Sequence, residues 1–366
     1  MPQSLKTKQG RVLSKAKRSE RFWYLDGSIV LLVEKTLYKL HRSRLSTVSL
    51  YFARLFGGPL PDPEIVEVTK GDSEGPIDGE VIDSCPVYRV TCISAGDFDC
   101  LLSTLNEGIT FAFKKPSFLE LASLLRASYT LECPPYLEYA TRVLREMWPD
   151  QLSQLDPEPS EEQRNFAKET LQLSRECGIP EVRKRAYYEL LRTPGFGQVF
   201  VSDSDSDEFI DDEDLLQDSQ SPLRYVDIVR LVRTREQLQR AWIEIARASP
   251  APSVVPCALE KIPDEKLNPA QGPARNGCRA ARDKSAGWWT EQVVCAPLFE
   301  QGLLDPLTAL QDLVDVAWDE LGFCGHCVGE RRQLWEDQGE KLWGRLDRWL
   351  GLAAPEEDKK KKGRVK

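Results

Sequence analysis

Cys324-Gly325-His326-Cys327 is the stretch whose residue types and spacing most directly permit chemistry. Two thiols separated by two residues serve two purposes. A redox dithiol needs a first cysteine of lowered pKa, at a helix N-terminus that follows a strand. A metal site needs the two thiolates at adjacent corners of a tetrahedron and a second pair of donors from elsewhere. The segment ahead of the motif reads as an amphipathic helix, with Leu307, Leu310, Leu313, Val314, Ala317 and Leu321 in register, which disfavours the redox arrangement. The second pair for a structural zinc is Cys257 and Cys278, with Cys295 as a spare. Their spacing of 21 positions matches no familiar zinc pattern, so the site leans on Cys324 and Cys327. His326 is a substitute donor, although three ligands within four residues are geometrically awkward. The alternative, that these thiols pack as small hydrophobes, stays open. No cofactor is expected beyond this zinc.

Other chemistry finds little support. The chain has two histidines, His41 and His326, and neither lies in a nucleophile-base motif. There is no Gly-x-Ser-x-Gly elbow, and Gly57-Gly58 precedes Pro59 rather than opening a phosphate-cradling helix. Cys85, Cys92, Cys100, Cys133 and Cys177 show no ligand spacing. The letters CGHC match the redox dithiol of protein disulfide isomerases, which keeps a thiol oxidoreductase as an alternative. No enzyme is expected.

The 366 residues, 41% of them hydrophobic, suffice for two or three domains. No apolar run approaches the ~18 residues of a membrane span, and the start lacks a signal-peptide pattern. The expectation is an intracellular protein of nucleus or cytoplasm, with its ten cysteines as free thiols or ligands. The net charge of −9 is concentrated in residues 201–219, which hold acids and no Lys or Arg. Nothing global suggests nucleic-acid binding.

The elements that must position any site begin at residue 22. Phe22 to Val33 leads into an apolar strand, Glu34-Lys35 is a two-residue turn, and Thr36 to Leu40 is a second strand in which Tyr38 and Leu40 alternate with Leu37 and Lys39. Ser49 caps a short helix carrying Phe52, Leu55 and Phe56, and Gly57 stops it. Asp26, the hairpin, and His41, Leu45, Ser49, Phe52 and Phe56 at their spacing resemble the BTB/POZ domain, particularly that of basidiomycete-type fungal proteins. The resemblance covers roughly residues 22–148. It implies an α+β fold whose work is binding, with His41 as scaffold. It also implies self-association through the first helix and an N-terminal segment, which points to Phe22, Trp23, Tyr24, Arg42 and Phe52. The alternative for Phe22 to Tyr24 is closure of the core. Ile65-Val66-Glu67 resembles a short element that some BTB domains use against a cullin.

In order, the chain reads as a basic disordered leader (1–21), a BTB/POZ-like domain (22–148, with a long loop at 57–86), a helix-pair extension (149–200), an acidic disordered linker (201–220), a helical domain (221–352) and a basic tail (353–366). Within it, Asp97 and Ser117 open helices, Phe111 and Phe113 sit in an extended piece, and prolines from Pro250 to Pro273 mark a loop. Asp305-Pro306 is an N-cap followed by proline at the first helical position. The fold class is thus an α+β BTB/POZ-like N-terminal domain followed by an all-α region. The expected function is protein–protein interaction through that domain. The partner is an unknown protein, with homodimerisation or a cullin as candidates; a cullin-ligase substrate adaptor is the alternative role.

Overall fold

The computed structural model describes residues 15–57, 76–193, 223–248, 257–266, 268, 269 and 271–352. Ile65 to Glu67, the acidic stretch 201–219 and the Lys-rich tail lie outside the described residues. The chain divides into two compact units, Met1–Met147 with Leu173–Pro180, and Trp148–Gln172 with Glu181–Lys366. A small mixed sheet and its helices make the first; the second is helical. Among the described residues no helix is long and apolar enough to cross a membrane.

Strands β1 (Lys17–Trp23), β2 (Ile29–Val33), β3 (Thr36–Leu40), β4 (Pro76–Ile82) and β5 (Cys85–Val90) form a sheet in the order β1-β3-β2-β5-β4. Strand β2 (Ile29–Val33) is central, and all five of its β-branched or leucine side chains are buried, so both its faces are covered. It pairs antiparallel with β3 (Thr36–Leu40) and parallel with β5 (Cys85–Val90). Glu34 makes the β2–β3 turn at φ +52° and accepts a hydrogen bond from the Ala95 N–H at 3.3 Å. The alternation read in β3 does not separate a wet face from a dry one. Lys39 is buried, and its ammonium donates to the Leu25 carbonyl at 3.1 Å. Lysine's long stem allows that burial because the charged end still finds a partner.

Two segments expected to be irregular are strands. Lys17–Trp23, whose first five residues fall in the expected disordered leader, is edge strand β1, parallel to β3. Its charges sit at a sheet edge, where exposed backbone is stabilised by pairing on one side only. Pro76–Ile82, in the expected long loop, is β4, joined to β5 by Asp83 and Ser84, both at positive φ as a tight hairpin turn requires.

Helices α1 (Arg42–Val48) and α2 (Leu50–Leu55) follow the first hairpin. Ser49 caps α2, as its place in the sequence predicts, leaving helical geometry at φ −130°, ψ 122°. Its hydroxyl accepts from the Phe52 N–H at 3.1 Å and donates to the Leu131 carbonyl at 2.5 Å. Leu45, Phe52 and Phe56 are buried with it. Phe52 stacks on Phe56, and Tyr38 meets the Phe98 ring edge-on at 5.0 Å.

Three helices complete the unit: α3 (Ala95–Phe113), α4 (Phe118–Thr130) and α5 (Pro134–Met147). Ser94, not Asp97, caps α3, accepting from the Asp97 N–H at 3.1 Å. The Asp97 carboxylate instead binds Arg126 at 2.9 and 3.0 Å. Burial raises the pKa of Asp97, but hydrogen bonds from Arg126, Ser123 and Ser94 together with the Arg126 charge outweigh it and hold the group below the usual range. The extended piece expected at Phe111 and Phe113 is the end of α3, beyond a break at Gly108 (φ 26°). Ser117 caps α4 through a reciprocal pair with Glu120, as the spacing predicts.

The expected helix pair is α6 (Glu161–Glu176) and α7 (Arg183–Arg192). They do not form one extension of the first unit. The last turn of α6 clusters with the sheet unit, whereas α7 belongs to the helical one. Every residue of α7 after Arg183 is buried, so its polar side chains need partners. Glu189 binds Arg185 (2.6 Å) and Arg192 (2.8 Å). Arg185 also donates to the Gln154 carbonyl, and Arg192 to that of Asp156. The Tyr188 hydroxyl donates to Asp305 at 2.5 Å. The same unit holds α8 (Tyr225–Arg247), α9 (Gln271–Trp289), α10 (Pro297–Leu304), α11 (Pro306–Asp315) and α12 (Gly325–Trp349). Asp305 caps α11 by accepting from the Thr308 N–H at 3.1 Å, with Pro306 at the first position, as expected.

Removing Glu189 leaves the buried Arg185 guanidinium without a carboxylate and Arg192 with Asp305 alone. Glu189→Ala is expected to destabilise the helical unit by about 3–5 kcal/mol. The check is a urea titration followed by far-UV circular dichroism, with a lowered midpoint and unchanged slope.

Candidate metal centre

Three elements deliver four thiols to one place. Cys257 precedes a short 3-10 turn, Ala258–Lys261. Cys278 lies on α9. Cys324 is the N-cap of α12 and Cys327 lies in its first turn. A proline-rich loop was expected to run to Pro273. Helix α9 instead starts at Gln271, because proline in a first turn removes an N–H that has no helical partner anyway.

Two glycines bring the elements together. A Cβ on Gly277 would stand 3.0 Å from the Gly322 carbonyl oxygen, so α9 and the turn before α12 touch backbone to backbone. Gly322 has φ +99°, a conformation that favours glycine. These positions flank Cys278 and Cys324, and the Cys324 N–H donates to the Cys278 Sγ at 3.0 Å. An Arg282–Glu260 ion pair fastens the turn after Cys257 to α9.

The four sulfur atoms lie within 4.8 Å of one another, with Cys257 and Cys324 at 3.7 Å. Zn–S bonds of about 2.3 Å in a tetrahedron place sulfurs roughly 3.8 Å apart. All four are free thiols; Cys257, Cys278 and Cys327 are buried, and Cys324 is partly exposed. The cluster therefore has the donor type, number and spacing of a closed four-sulfur site. His326 is outside it, 3.5 Å from Glu330 and largely exposed. Cys295 is exposed and also outside.

The thiols differ. Burial pushes Cys278 up to about 11 and raises Cys327 further. Burial also opposes the Cys324 thiolate, but hydrogen bonds from the Cys327 N–H and from the thiols of Cys278, Cys327 and Cys257 outweigh it, and Cys324 is lowered. Elsewhere burial raises Cys100 to about 11 and Cys133 and Cys177 to about 12, which suits inert packed thiols.

The residues expected to make a contact surface divide. Phe22 and Phe52 are 2% and 0% exposed, so both are core and cannot present a surface in this fold. Trp23 is half-buried under the Arg18 guanidinium. Tyr24 stacks on His41 at 5.4 Å and its hydroxyl accepts from Asn106. Arg42 is exposed, donating to the Phe56 carbonyl. His41 sits 3.4 Å from Asp26. Sequence reasoning missed a groove of about 360 Å³ in the helical unit, floored by Leu155, Leu307, Leu310 and Trp335 and rimmed by Glu336 and Glu340. Its lining holds no His, Cys, Lys or Arg, and no local motif announces it.

No protein-family model matches the sequence, and no curated protein matches it.

In metal-free protein, Cys324 is expected to be alkylated faster than Cys257, Cys278 and Cys327, because it combines exposure with a lowered pKa. Time-resolved iodoacetamide labelling with peptide mass spectrometry checks the order.

Proposed function

We propose that this chain is a non-catalytic protein-interaction protein. Its N-terminal unit docks partners in the manner of a BTB/POZ domain, and its helical unit is locked by a structural zinc at Cys257, Cys278, Cys324 and Cys327. The observation that carries the zinc is the meeting of four sulfurs within 4.8 Å from three separate elements. Four protein ligands fill a tetrahedron and leave no open position for substrate, as in structural rather than catalytic sites. A thiol oxidoreductase is the poorer reading. The Cys324–Cys327 pair follows helix α11 and a turn, not a strand, and two further thiols crowd it.

What supports the docking reading is the element order of the first unit. A hairpin leads to two short helices, then a second hairpin and three helices, with Leu45, Ser49, Phe52 and Phe56 buried together. Leu25 and Phe113 are 95% and 88% exposed, and Arg42 is exposed beside the hairpin, so apolar and charged surface is on offer.

Protein purified at neutral pH is expected to carry a single zinc ion per chain by elemental analysis. Zinc uptake by stripped protein should release protons, because the raised thiols of Cys278 and Cys327 enter as thiolates. Cys278→Ser should lose the metal. Protein without stoichiometric zinc sinks that part. Light scattering paired with a pull-down tests docking; a strict monomer that retains no protein counts against it.

A further inference from the structure

We infer that Arg331 is the counter-cation of the four-thiol centre and that its charge helps to hold the metal. This rests on the zinc reading above. Arg331 lies one turn beyond Cys327 on α12 and is 7% exposed. Its Nη1 donates to the Cys327 carbonyl at 3.1 Å. Its guanidinium carbon stands 3.5 Å from the Phe323 ring centroid and 5.7 Å from that of Trp318. Its Nε has no hydrogen-bond partner among the described residues.

A buried guanidinium needs an answering negative charge. Arg185 and Arg192 have theirs in Glu189. Among the described residues no carboxylate forms an ion pair with Arg331. Burial lowers the pKa of Arg331, and the neighbouring Cys327 and Cys278 work against that. With protonated thiols the cation would face neutral sulfur. Four thiolates around a divalent zinc carry a net charge of −2, and Arg331 halves it. Each buried charge then answers the other. Arg331 touches the Cys327 backbone, not the metal, so it is a positioning residue whose effect is electrostatic.

The test uses the full-length zinc-loaded chain. Zinc release to a chromogenic chelator is timed for wild type, Arg331→Met and Arg331→Lys, and each is also loaded with cobalt(II). Partners of metal ligands change affinity by about 10–100-fold when removed. Arg331→Met, which keeps apolar bulk but no charge, is expected to release zinc at least about ten-fold faster. Its thiolate-to-cobalt charge-transfer band should move to lower energy, since unscreened thiolates give up electrons more readily. Arg331→Lys should stay near the wild-type rate. If the methionine variant does not fold, Arg331→Gln, which keeps a donor for the Cys327 carbonyl, replaces it with the same expectation. A neutral variant at the wild-type rate with an unshifted band overturns the inference, and so does a lysine variant as fast as the neutral one. Wild-type protein that binds no zinc overturns the inference together with the reading beneath it, and its own metal content tells the two failures apart.

Discussion

A buried charge has to be answered, and in this protein that requirement shapes the helical unit. Helix α7 has no exposed face, yet it carries Lys184, Arg185, Glu189 and Arg192. Glu189 answers two arginines, Asp305 answers Tyr188 and Arg192, and Asp347 answers Lys184 at 3.0 Å. Glu189 lies on α7 itself, whereas Asp305 and Asp347 come from distant parts of the chain. The surrounding helices must therefore be placed to within hydrogen-bond tolerance, or a charge is stranded. Apolar packing alone tolerates looser fits.

The sheet unit is organised differently. Its central strand is apolar throughout, and its helices are fastened by local polar devices at their ends: Ser49, Ser94 and the Ser117–Glu120 pair. Arg126–Asp97 ties α4 to α3, and Arg54–Glu132 ties α2 to the turn after α4, both at partly exposed positions. Charge here holds the periphery, whereas in α7 it sits in the core.

Features set by near neighbours were legible in the sequence. The β2–β3 hairpin, the caps at Ser49, Ser117 and Asp305, and the apolar stripe of α4 depend on a few adjacent residues. The four cysteines were legible as types. What brings Cys278 to Cys324 was not, because the contact of Gly277 with Gly322 joins positions far apart in sequence and leaves no periodic trace. The burial of Lys39 and α7 was hidden for a related reason. A charged side chain reads as solvent-facing until the partner that permits its burial is known. The lysine and arginines of residues 17–21 suit an edge strand as well as a tail, so composition does not tell the two apart.

The tryptophans carry an optical consequence. Trp23 belongs to the sheet unit, and the remaining eight, from Trp148 to Trp349, to the helical unit. Trp289 and Trp335 stack at 5.5 Å, and the Trp242, Trp289, Trp318 and Trp343 indoles each donate to a backbone carbonyl. Intrinsic emission from the intact chain is therefore almost entirely a signal from one half of it. Melting of the sheet unit would pass nearly unseen at that wavelength, while the circular dichroism of its strands and helices would still register it. The two halves can be told apart in one cuvette, without labels, by which light is used.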